Sequence, residues 1–111
     1  MSALPNVSKE VDKALRAAIA GRRLVNFSYQ GRPRKAEPHD YGINKGKVRL
    51  FCYQVGGESR SGKLPDWRLL EVLDISGLEI TDESFPGPRA VSGSHIEWDE
   101  LFASVSRPTK G

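Results

Sequence analysis

The 111 residues leave room for one domain, since a chain of this length buries roughly 65% of its unfolded surface around a single core. With 38% hydrophobic and 28% charged residues, 11 Gly and 7 Pro, the composition excludes a coiled coil, a collagen repeat and a disordered chain. The formal charge is +3 but uneven. Met1 to Arg68 holds 14 basic and 6 acidic residues, and Leu69 to Gly111 holds 3 basic and 8 acidic. That asymmetry points either to an anionic partner for the front half or to an electrostatic clasp between the halves. No apolar run exceeds four residues, the longest being Ala17–Ala20 and Leu50–Tyr53, so no membrane span is expected. The first residues lack the hydrophobic stretch of a signal peptide, so the expected location is cytoplasmic.

Val11, Leu15, Ala18 and Ile19 fall on one face of a helix from Ser8 to Ala20, with Ser8 as N-cap and Gly21 just past the end. The period then changes to two. Val25, Phe27 and Tyr29 alternate with Asn26 and Ser28, a strand that stops at Gln30-Gly31-Arg32-Pro33. A short hairpin returns through Arg34 to Pro38, and Tyr41 to Gly46 supplies the next turn. Lys47 to Val55 is the best strand, with Val48, Leu50 and Cys52 on one side and Arg49, Phe51 and Tyr53 on the other. After a polar loop over Gly56 to Asp66, Trp67–Ile75 and Leu78–Thr81 read as two strands around Ser76-Gly77. Ser94 to Glu97 has the form of a capping box, and Trp98, Leu101, Phe102 and Val105 follow at helical spacing. The expected fold is mainly β: a small five-stranded barrel flanked by an N-terminal and a C-terminal helix. Residues 1–7 form an arm, 8–85 the barrel with its leading helix, 86–106 a crossing segment and helix, and 107–111 a tail.

The chemistry is sparse. Gly57 to Leu64 nearly matches a phosphate-binding loop, but Leu64 replaces the magnesium-binding hydroxyl and Pro65 denies the following helix. Cys52 sits mid-strand on the aliphatic side, where a thiol is inert; one Cys and two His form no recognisable metal set. His39-Asp40 reads either as a general base or as a surface turn, and the turn is the better reading. No catalytic residues, cofactor or metal are expected.

Taken in order, Leu15-x-x-Ala18-Ile19, Arg22-Arg23-Leu24-Val25-x-Phe27-x-Tyr29, Glu37-Pro38-His39, Gly46 to Val55 and Trp67 to Leu78 resemble a WYL domain. The likeness runs from Leu15 to Phe85 and is strongest to the short stand-alone members. It implies an Sm-like, SH3-like barrel and a sensing role in bacterial regulation, with a groove for nucleic acid or nucleotide-like ligands. Two departures stand out. The family's tripeptide aligns with Val48-Arg49-Leu50, and two arginines of its last motif fall at Glu71 and Asp74. The resulting expectation is a non-catalytic binding module using Arg23, Tyr29, His39, Arg49, Tyr53, Trp67 and Arg68. The arginines would meet phosphates, His39 would be a switchable donor, and the aromatics would stack on bases. Its partner would be single-stranded nucleic acid or an anionic nucleotide-like ligand. The alternative is a protein-interaction or homo-oligomerising module.

Overall fold

A computed structural model of the chain describes residues 7–58, 63–89 and 96–105. One helix, α1 (Lys9–Gly21), precedes six strands: β1 (Arg23–Tyr29), β2 (Arg32–Asn44), β3 (Lys47–Gly57), β4 (Asp66–Glu71), β5 (Ile75–Ser84) and β6 (Glu100–Ser104). All pairings are antiparallel, in the order β4-β3-β2-β1-β5, and β6 joins β2. The fold is therefore mainly β, as expected. The sheet is not closed among the described residues, however, and it has one helix rather than two.

The helix forms where the apolar spacing places it. The Ser8 hydroxyl accepts from the Val11 N–H at 3.1 Å, and Glu10 and Asp12 favour the positive end of the dipole. Leu15, Ala18 and Ile19 are buried against the sheet. The left-handed residue that ends it is Arg22 (φ 54°), one position beyond the expected Gly21. Tyr41, fully buried on β2, donates its hydroxyl hydrogen to Asp12 Oδ1 at 2.7 Å and so ties helix to sheet.

Both hairpins of β1–β2–β3 turn on two residues of positive φ, Gln30-Gly31 and Lys45-Gly46, the type I′ geometry that matches strand twist. With turns this tight, β2 runs for 13 residues instead of stopping at Pro38. Its first half pairs with β1 and its second half with β6, with a register step between Pro38 and Asp40 that sets His39 apart. The break expected at Ser76-Gly77 lies instead at a single 3-10 turn over Val72–Asp74. Gly77 (φ 61°) falls inside β5, at a register step against β1.

The expected C-terminal helix is corrected: residues 100–104 are strand β6. Beyond Ala36, β1 no longer covers the edge of β2, and the backbone groups of Asp40 to Ile43 need partners. The segment β6 provides them, from the Asp99 N–H on Ile43 O (2.7 Å) to the Val105 N–H on His39 O (2.8 Å). Asn44 Nδ2 on Glu97 O and the Gly46 N–H on Asp99 Oδ2 pin the approach. Non-local pairing outweighs a helical stripe only eight residues long. Ser94 and His95 of the capping box lie outside the described residues, as does the middle of the Gly57–Leu64 loop.

Candidate functional site

Strands β2, β3 and β4 present two faces, and cross-strand register assigns each side chain to one of them. Glu37, Tyr53 and Trp67 are mutual partners on one face, with Phe51 opposite Leu69 and Arg49 opposite Glu71 beside them. Cys52 opposite Arg68 and Leu50 opposite Leu70 belong to the other. This second face meets the main core of Leu15, Val25, Phe27, Leu50 and Val72. Arg49 and Arg68 therefore point away from each other and do not build one groove.

Trp67 organises the first face. Its ring stacks on Phe51 (4.7 Å, 7°), meets Tyr53 at 5.0 Å and stands edge-on to His39 at 4.9 Å. His39 in turn stacks on Phe85 at 5.3 Å. A strap over Phe85–Arg89 crosses this cluster. The Phe85 N–H donates to Arg22 O, and Arg22 Nη1 donates to Pro86 O, each at 2.9 Å. Gly87 (φ 142°) leaves room for that guanidinium, which a Cβ would meet at 3.3 Å. At the far end the Arg89 N–H donates to His39 Nε2 at 3.2 Å. The Arg89 guanidinium forks onto Glu37, with Nε to Oε1 at 2.6 Å and Nη2 to Oε2 at 2.9 Å, and lies 4.5 Å over the Tyr53 ring. Between strap and sheet lies a cleft of about 420 Å³, lined by Tyr53, Trp67, Pro86, Gly87, Pro88 and Arg89.

His39 is only 3% exposed. Because Nε2 accepts from the Arg89 N–H, the proton sits on Nδ1, which donates to Glu37 O at 2.9 Å. Burial pushes its pKa below the ordinary 6.5, against the opposing pull of Glu37 and Asp40. A neutral imidazole with both nitrogens engaged positions the strap and has no hydrogen left to offer a ligand. No protein-family model, curated protein or solved structure matches this chain significantly.

Of the seven sequence-derived residues, the fold brings together His39, Tyr53 and Trp67. Arg68 and Tyr29 meet elsewhere, through Arg34, at the end of the sheet that carries the Gln30-Gly31 turn. Tyr29 is buried there, and its hydroxyl accepts from the Glu71 N–H at 3.2 Å. Arg23 stands apart, its Nη1 on Asp82 O. Arg49 faces Glu71 across the ladder, and Glu71 also takes Lys47 Nζ at 3.5 Å, so acidic charge does enter that patch. Lys35–Glu83 and Lys47–Glu71 join bases of the front half to acids of the back half, whereas Arg89–Glu37 runs the other way. Part of the charge asymmetry is thus compensated internally.

Sequence reasoning missed Glu37, Arg89, Arg34 and Gln54. The inward phase of Arg34, two residues before Ala36, was a readable signal. The meeting of Arg89 with Glu37, 52 residues apart, was not. Cys52 is fully buried and its thiol is pushed up to about 12, an inert group as expected.

Proposed function

We propose that this chain is a non-catalytic, WYL-like binding module of a bacterial regulatory system, acting in the cytoplasm on single-stranded nucleic acid or a nucleotide-like ligand. The cleft between the Phe85–Arg89 strap and the sheet carries the reading. Tyr53 and Trp67 offer half-exposed rings on one wall, and the Arg89 guanidinium lies beside them. Stacking one base on such a platform contributes about 1–3 kcal/mol and tolerates any sequence. The strand order β5-β1-β2-β3-β4, with a 3-10 turn between β4 and β5, supports an Sm-like arrangement. So does the sequence resemblance.

The test is fluorescence titration of a Trp98→Phe chain, in which Trp67 is the sole reporter, with short oligothymidylates at low salt. The expected result is saturable quenching that weakens with salt and disappears in Tyr53→Ala. Absence of quenching at low salt defeats the reading.

A second reading, self-association or protein docking, has its own observation. The outer edge of β5 pairs with no described strand, and Ile80 and Leu73 are 43% and 52% exposed. Sedimentation at tens of micromolar decides it, a strict monomer counting against self-association.

A further inference from the structure

The core-facing side of β2, β3 and β4 holds a second cationic cluster, independent of the cleft. Arg34 is 6% exposed, yet no carboxylate pairs with it among the described residues. Among the described residues its one hydrogen bond is Nη1 to Gln54 Oε1 at 3.3 Å, and its buried Nε–H finds no acceptor there. The guanidinium lies 5.1 Å over the Tyr29 ring. Arg68 converges on the same Gln54 oxygen through Nε at 3.4 Å. That oxygen has no freedom to turn away, because Gln54 Nε2 is held by Gly56 O and Glu58 O at 3.0 and 3.1 Å.

Two guanidinium ions thus converge on the Gln54 carbonyl oxygen. Asp66 engages Arg68 at 3.3 Å, and Glu58 is drawn to Arg32 at 3.7 Å. Neither reaches Arg34. The neighbouring Cys52 stays a neutral thiol. Burying an uncompensated cation costs several kcal/mol unless a partner neutralises it. Packing over Tyr29 would be served as well by an uncharged side chain. Arg34 thus holds a buried N–H that no described group satisfies.

We infer that Arg34 and Arg68 form a binding site for a phosphate group, either inorganic phosphate or the terminus of a phosphomonoester. A guanidinium fork suits a tetrahedral oxyanion, and Arg34 brings a positive charge that no described carboxylate pairs with. The missing countercharge near Arg34 is what that anion supplies.

The experiment is thermal unfolding of the full chain in phosphate and in chloride at matched ionic strength, with 5′-AMP against adenosine as a second arm. The first arm reads inorganic phosphate and the second a phosphomonoester. At about 20 mM anion the expected rise in Tm is about 3 °C or more over chloride. The rise is absent in Arg34→Met and clearly reduced in Arg68→Gln. In chloride alone, Arg34→Met melts at or above the wild type, since it loses a buried charge. Should that variant not fold, Arg34→Lys, which keeps the charge but lacks the fork, loses the phosphate response instead. Equal melting in phosphate and chloride, or an undiminished rise in both variants, overturns the site. Failure of the oligonucleotide titration leaves this result standing, because the cleft lies on the opposite face.

Discussion

The Arg89 guanidinium forks onto the Glu37 carboxylate, whose side chain is 6% exposed while that of Arg89 is 44% exposed. The pair is asymmetric: one ion is sealed in the sheet and the other reaches it from the strap. Replacing Arg89 by Met leaves Glu37 buried without a counterion. The expected loss is about 2 kcal/mol, below that of a fully buried pair because solvent screens Arg89. Adding Glu37→Gln to Arg89→Met restores most of it. Urea unfolding of the two single variants and the double variant measures the coupling.

Acid should release the same strap through His39. Desolvation holds its pKa below the ordinary 6.5, so the neutral ring's contribution is complete above that value. It is lost as the pH falls from 6.5 through the lower folded value, where the unfolded chain binds the proton first. Protonation would also force Nε2 to give up the Arg89 N–H. Tm should therefore fall as the pH drops below 6.5, and His39→Phe, which keeps the ring stack, should flatten that slope. An unchanged slope in the variant refutes the assignment.

Much of the fold was legible because alternation is a local signal. Val48, Leu50 and Cys52 point into the core as their phase demands, and so do Val25, Phe27 and Tyr29. The segment ending in Leu101, Phe102 and Val105 was not legible, because its spacing suits a helix and only the open edge at Asp40 to Ile43 makes it a strand. The site divides in the same way. Tyr53 and Trp67 share a face by phase, whereas His39 turns inward at a register step that no composition signals. Arg49 and Arg68 lie on adjacent strands, but their opposite phases against Glu71 and Cys52 separate them.

The docking of β6 depends on Gly42. A Cβ there would collide with Glu100 O and lie 3.0 Å from Leu101 Cα and 3.1 Å from the Trp98 ring, all across the β2–β6 ladder. Backbone cannot yield as a flexible side chain does, so Gly42→Ala should cost about 1–3 kcal/mol. Hydrogen exchange localises the effect. Amides of Leu101, Ala103 and Val105 should exchange faster, while those of β1 keep their protection. Uniform loss of protection would show that β6 is not a separable element.

Lys45 offers the opposite change, a gain. It is exposed and holds φ 51° at the first central position of the turn it forms with Gly46 (φ 78°). A side chain with a γ-branched amide tolerates this left-handed conformation better than lysine does, and Asn-Gly is the preferred pair for a type I′ turn. Among the described residues Lys45→Asn removes no ion pair, since Lys47 rather than Lys45 reaches Glu71. The expected stabilisation is about 0.5–1 kcal/mol, seen as a higher urea midpoint with an unchanged slope. Gln30→Asn, at the equivalent position of the first hairpin (φ 54°), should give a similar and additive gain. A loss of stability in both variants would mean that the two turns do not have this geometry.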